Sequence, residues 1–161
     1  MIREMKKEDW PRVREIYSQA LKKGVSTFNT ACPSYEEWDR AHESSCRYVY
    51  LADGMVVGWV VLSPTSTREC FRGVAEVSIY LDDDYQGRGI GTALMERELS
   101  ESEAAGFWCI YSAIYRSNEG SLALHRKCGF REIGYREKMA RDCFGNWQDV
   151  IIMEKRSQKL V

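Results

Sequence analysis

The run Gln86-Gly87-Arg88-Gly89-Ile90-Gly91-Thr92 follows directly on an apolar alternation, Val77, Ile79 and Leu81 set between Ser78 and Tyr80. Alternation of this kind makes a strand, and Ile90, Ala93, Leu94, Arg97 and Glu98 then open a helical period that continues toward Ala105. A strand, a glycine-rich turn and a helix N-terminus aim successive backbone N–H groups at one point. Unpaired amides and the positive end of the helix dipole both favour an anion there, so the expected ligand is a phosphate. Glycine allows the backbone to approach that ligand where a Cβ would stand in the way. The spacing narrows the choice. A Walker loop needs Lys-Ser/Thr after its last glycine, and a dinucleotide fingerprint spaces its glycines as G-x-G-x-x-G. This chain has Ile90-Gly91-Thr92 and G-x-G-x-G, and meets neither.

The elements that must position this loop can be read on either side of it. Ile2 to Met5 is a first strand, and Glu8 to Leu21 carries Val13, Ile16, Tyr17, Ala20 and Leu21 at helical spacing, with Pro11 in the first turn and Gly24 past the end. Ser34-Tyr35-Glu36-Glu37 matches a capping box, so a second helix is expected through Glu43. Arg47 to Ala52 and Met55 to Leu62 read as strands joined at the hairpin signal Asp53-Gly54. A polar loop, Ser63 to Gly73, leads to the strand Val74 to Leu81. Beyond the long helix, which Gly106 ends, Trp108 to Ala113 is a strand, and Ser117 or Asn118 caps a short helix closed by Gly129-Phe130. Glu132 to Arg141 and Trp147 to Glu154 are strands across Phe144-Gly145-Asn146. The order β-α-α-β-β-β-α-β-α-β-β predicts a three-layer α/β domain on a mixed sheet. Residues 1–155 are expected to form that single domain, with 156–161 a short frayed tail.

Composition bounds the function class. The 161 residues are 44% hydrophobic and 29% charged, which argues against disorder and allows one domain with a real core. The net charge is −1 with no basic run, so nucleic acid is not an expected partner. Nothing approaches the length of a membrane helix, and no apolar segment of a signal peptide follows Met1. Six cysteines without a C-x-x-C pair, and only His42 and His125, leave little for zinc; the expectation is no metal and reduced thiols in a cytoplasmic protein.

Gln-x-x-Gly-x-Gly after a strand resembles the pyrophosphate loop of the GCN5-related N-acetyltransferase (GNAT) superfamily, which holds acetyl-CoA. The element order is that family's order. Asn118-Glu119-Gly120-Ser121, then Leu122-Ala123-Leu124-His125, then Gly129-Phe130 resembles its late signature. His125 stands where many members have a tyrosine acting as general acid. That substitution, with Ile16-Tyr17, Ser26-Thr27-Phe28, Arg72 to Tyr80 and Phe144 to Val150, resembles the phosphinothricin and methionine sulfoximine N-acetyltransferase branch over about Ile2 to Met153.

The resemblance implies an α/β/α acyl-CoA N-acyltransferase fold on a mostly antiparallel sheet, and acetyl-CoA as co-substrate. Gln86, Gly87, Arg88, Gly89, Ile90, Gly91 and Thr92 would hold the pyrophosphate. Ile79, Tyr80 and Leu81 would pair through their backbones with the pantetheine arm, and Asn118 would hydrogen-bond the cofactor. Acetyl transfer needs a neutral amine, so a base must take its proton. Glu76 lies in an apolar strand on the same face as Ser78 and Tyr80, where a carboxylate either pairs or has a raised pKa. Glu76 is therefore the expected base, acting through water, and His125 is expected to donate to the departing thiolate or relay a proton. Arg68 and Arg72 offer a fork for a carboxylate or phosphinate, Phe28 and Trp147 apolar walls. Ser66, Thr67, Val77 and Ser78 match further substrate contacts of the branch, although Pro64 to Cys70 has its own composition.

The expected activity is acetylation of a small amino-acid-like amine, with detoxification as its consequence and a homodimer implied by the resemblance. Two rivals stay open: a protein N-terminus, lysine or polyamine as acceptor, and a non-catalytic acyl-CoA-binding module.

Overall fold

The computed structural model describes all 161 residues. Seven strands form one sheet: β1 (Ile2–Glu4), β2 (Tyr48–Ala52), β3 (Met55–Pro64), β4 (Val74–Leu81), β5 (Cys109–Tyr115), β6 (Arg131–Arg141) and β7 (Trp147–Arg156). Their spatial order is β1-β2-β3-β4-β5-β7-β6. Every neighbouring pair is antiparallel except β4 and β5. The helices are α1 (Trp10–Lys23), α2 (Tyr35–Ala41), α3 (Ile90–Ala104) and α4 (Glu119–Lys127).

The alternation of β4 divides the core. Ala75 and Val77 join the larger apolar cluster with Leu94 and Met95 of α3 and Leu122 of α4. Tyr80, on the opposite face, packs into a second cluster with Val13, Ile16 and Tyr17 of α1 and Trp38 of α2. These are the two helical layers, α1 with α2 on one face and α3 with α4 on the other. Local chemistry sets most of the ends. Asp53 and Gly54 both take positive φ in the β2–β3 turn, which suits the twist of a two-residue hairpin. Ser34 caps α2 by accepting the Glu37 N–H at 3.2 Å. The α2 helix stops at Ala41, short of Glu43, because His42 is already extended. At the C-terminus, Ser157 donates its N–H to the Trp108 carbonyl and its hydroxyl to Glu103.

One departure from regular pairing builds the cleft. The parallel ladder of β4 and β5 covers only Val74 to Glu76 against Cys109 to Tyr111. Beyond Glu76 the two strands part. β4 continues paired to β3 alone, and β5 to β7 alone. Between them lies a V-shaped gap bordered by unpaired strand edges, whose alternate backbone groups lack a ladder partner.

Candidate active site

The gap opens into a cleft of about 1260 Å³, floored by Glu76 to Leu81 on one side and Ser112 to Tyr115 on the other. The glycine loop, Asn118 and the inner face of α4 line one half of it; Tyr17, Trp38, His42, Trp59 and Ser63 line the other. Phe28, from the loop after α1, spans the gap and lays its ring 4.7 Å from that of Tyr115.

The loop has the geometry of an anion cradle. Gly87 and Gly89 adopt φ of 73° and 79°, and a Cβ built on either would meet nothing within 4 Å. Gly89 caps α3 without a side-chain acceptor, and the first helical bond is that of Ala93 to the Gly89 carbonyl. None of the backbone N–H groups from Gly87 to Thr92 donates to a protein acceptor. Six successive free amides at a helix N-terminus are what a pyrophosphate requires. Arg88 is turned away from this cradle, its guanidinium donating to the Asp84 carbonyl and lying over Tyr85. Asn118 accepts the Ser121 N–H at 3.2 Å, which caps α4 and leaves its amide nitrogen without a protein partner.

Glu76 stands where β4 and β5 separate. Burial raises its pKa, partly offset by the Tyr111 hydroxyl, which donates to Oε2 at 3.3 Å. Ser63, Glu76 and Tyr111 are register partners across three strands, so their side chains share one face. A carboxylate with a raised pKa, half-buried at the meeting of the two halves, suits a base toward an amine.

His125 is almost completely enclosed, with 1% of its surface exposed. Its Nδ1 lies 2.7 Å from the Ser121 carbonyl oxygen. A carbonyl only accepts, so Nδ1 carries the proton and Nε2 presents a lone pair. That Nε2 has no protein partner. Burial lowers the His125 pKa, so the ring is neutral and donates from Nε2 only after first collecting a proton there.

The residues expected at the site are not all gathered there. Glu76, Val77, Ser78, Ile79, Tyr80, Leu81, Gln86, Gly87, Gly89, Gly91, Thr92, Asn118, His125 and Phe28 line the cleft. Val77 does so from a side chain committed to the core. Ile90 is buried beneath the loop. Ser66, Thr67, Arg68 and Arg72 lie outside it. A 3-10 turn at Glu69–Phe71 carries the arginines to the surface, where Arg68 stacks on Phe71 and Arg72 pairs with Glu69 and stacks on Trp108. Trp147 is also remote, an exposed ring against Arg141. Sequence reading missed Tyr111, Tyr115, Trp59 and the α2 residues Trp38 and His42. Only the strand register and the helix packing bring these to the cleft.

The acetyltransferase model of the GNAT family matches residues 10–130. The chain belongs to the GNAT acetyltransferase family. It is an N-acetyltransferase, and the free amides of its glycine loop fit acetyl-CoA. An L-methionine sulfoximine/L-methionine sulfone acetyltransferase of Pseudomonas aeruginosa is 28% identical over 95% of this chain and 92% of its own. A phosphinothricin acetyltransferase from Sinorhizobium meliloti, solved in complex with acetyl-CoA, is 28% identical with a TM-score of 0.88, covering 97% of this chain and 87% of that one. A ribosomal-protein-alanine N-acetyltransferase from Brucella melitensis is also 28% identical, with a TM-score of 0.89 over 98% of this chain and 99% of that one. This GNAT enzyme therefore shares its fold with proteins named for small amino-acid-like acceptors and with one named for a ribosomal-protein alanine.

Proposed function

We propose that this enzyme transfers the acetyl group of acetyl-CoA to the amino group of a small amino-acid-like acceptor, of the phosphinothricin or methionine sulfoximine type. The observation that carries the reading is the position of Glu76, a half-buried carboxylate at the point where β4 leaves β5, between the amide cradle and the aromatic half of the cleft. The relatives named for those acceptors support the substrate class.

When bound, acetyl-CoA supplies an activated acyl group. The amides of Gly87 to Thr92 hold its pyrophosphate, with Gln86 and Asn118 beside them, and the free edge of β4 at Ile79 to Leu81 takes the pantetheine arm as an added strand. Glu76 receives the proton that the acceptor ammonium must lose before its nitrogen can attack. His125 contributes a fixed acceptor at Nε2 and relays a proton from that atom once it has gained one. Arg88 supports the loop by bracing Asp84 rather than by touching phosphate. Phe28 and Ser78 shape the acceptor end.

A peptide N-terminus is the second reading, favoured by the likeness to the ribosomal-protein-alanine enzyme. The enzyme further acts, in this proposal, as a cytoplasmic homodimer whose activity detoxifies its acceptor. Six free cysteines agree with a reducing compartment. Exposed Ile133, Tyr135 and Met139 on the edge strand β6 offer apolar contacts to a second copy. Thiol release from acetyl-CoA, measured against phosphinothricin, methionine sulfoximine, the common amino acids, spermidine and an alanine-led peptide, tests the reading. Turnover confined to the amino-acid-like amines is the expected result. Turnover of the peptide alone would replace the acceptor class, and binding of acetyl-CoA without turnover of any of these amines would replace the small acceptor with a macromolecular one.

A further inference from the structure

We propose that His42 is a specificity-determining residue that favours a hydrogen-bond donor at the far end of the acceptor's side chain, and so selects the sulfoximine type over the ionised phosphinate of phosphinothricin. The inference rests on the small-acceptor reading and assigns a role to a residue outside the chemistry given above.

His42 ends α2, and its ring packs against Trp38 at 4.6 Å between centroids. Its Nδ1 lies 2.6 Å from the Trp38 carbonyl oxygen, so this nitrogen holds the proton and Nε2 holds a lone pair. Both ring nitrogens of His125 are enclosed or bonded. The Nε2 of His42, by contrast, has no protein partner and is not sealed within the protein, and His42 lines the cleft with Trp38 and Ser63.

Protonation of Nε2 would turn it into a donor, and the surroundings oppose that. Burial lowers the His42 pKa, and the charge of Arg47, which donates to the His42 carbonyl, acts in the same direction. The Trp38 carbonyl and Asp39 work against them without reversing the shift. At neutral pH the ring is an acceptor with a fixed tautomer.

The backbone ties the end of α2 to the strand beside that of the base. Ser63 is the register partner of Glu76 on β3, and the Glu43 N–H is bonded to the Leu62 carbonyl at 2.8 Å. The end of α2 is thereby tied to the strand adjoining that of the base, one inter-strand spacing of about 4.8 Å away. An acceptor whose amine meets Glu76 and whose side chain crosses β3 arrives at His42. There an N–H or O–H gains a partner, whereas an oxygen with no proton would face the imidazole lone pair.

Methionine sulfoximine and methionine sulfone form a matched pair for the test, since an N–H in the first replaces an oxygen in the second. The quantity to measure is the ratio of their kcat/KM values. The wild-type enzyme is expected to prefer the sulfoximine by about tenfold, the scale set by one hydrogen bond gained against an unpaired buried group. His42→Phe, which keeps a ring against Trp38, is expected to bring the ratio to near one, and His42→Gln, which restores an acceptor oxygen, to recover part of it. A ratio near one in the wild type, or one that His42→Phe leaves as it was, overturns the proposal. A general packing defect would lower both substrates together and leave the ratio intact, which also counts against it. Failure to acetylate either compound would instead remove the small-acceptor reading on which this inference stands.

Discussion

Arg12, in the first turn of α1, holds Asp82 at the entrance to the glycine loop with an Nη2 to Oδ2 distance of 2.8 Å. The same guanidinium donates from Nε to the Val56 carbonyl, and Gln19 reaches both Asp82 and the Asp83 N–H. Asp82 in turn accepts the Asp84 N–H at 3.0 Å. Burial works to raise the Asp82 pKa, but Arg12, the Asp84 N–H and Gln19 hold it below the usual carboxylate range, so the clamp stays ionised through neutral pH.

This contact links α1 to the start of the phosphate cradle, so it positions the loop without touching ligand. Asp82→Asn keeps the shape and removes the charge. A loop loosened enough to give up about 1 kcal/mol of cofactor binding shows about a fivefold rise in KM for acetyl-CoA, with kcat nearly unchanged. Steady-state kinetics with acetyl-CoA varied separate the two constants. A fall in kcat at constant KM would mean that the clamp serves something other than cofactor binding.

Tyr111 gives a prediction in pH. Its hydroxyl stabilises the ionised form of Glu76, whose pKa burial has already raised. Removing that donor with Tyr111→Phe raises the Glu76 pKa further, because only the desolvation remains. In the proposed role Glu76 must be ionised to accept a proton, so the acidic limb of the kcat/KM profile is expected to move to higher pH. Glu76→Gln abolishes the limb and most of the activity, by about a hundredfold or more for a general base. A Tyr111→Phe profile that overlays the wild type would show that the measured limb belongs to another group.

How far the site could be read beforehand depended on whether its geometry is local. The glycine loop, the start of α3 and the Asn118 cap are set by neighbours within a few residues, and their patterns stand in the sequence. The shared face of Glu76, Ser78 and Tyr80 follows from strand alternation alone. Tyr111 could not be seen, because its place beside Glu76 depends on the register of the one parallel pair and on where that pair ends. Arg68 and Arg72 have the right chemistry for a carboxylate, but the direction of their loop is decided by Trp108, which packs beneath Gly73 and carries Arg72 outward. For His42 the sequence offers only its type, that of a possible metal ligand. Its tautomer, fixed by the carbonyl of Trp38, is a property of the folded helix end.

Glu98 is a cost the fold carries away from the cleft, and it sets a stability prediction. It lies in the middle of α3 with no surface exposed and neither carboxylate oxygen partnered. Burial, with the charge of Glu101 added, pushes its pKa up to about 9. Cys46, pushed to about 11 chiefly by its own burial, feels Glu98 as a neighbour. An ordinary carboxyl loses its proton near pH 4.5 in the unfolded chain, while Glu98 keeps it to about 9 in the folded one. The native state therefore binds the extra proton across that window. Stability falls as pH rises through it, by up to about 1.4 kcal/mol per pH unit from this group, and levels off above the folded pKa. Glu98→Gln removes the titration and should flatten the fall in Tm between pH 6 and pH 8.5. Glu98→Leu also removes the unpaired polar atoms and should raise Tm at pH 8, on a scale of about 1–3 kcal/mol. Thermal melts of the three proteins across that range decide the matter. If the wild type and Glu98→Gln decline in parallel, Glu98 is ionised in the folded state and has a partner in solution.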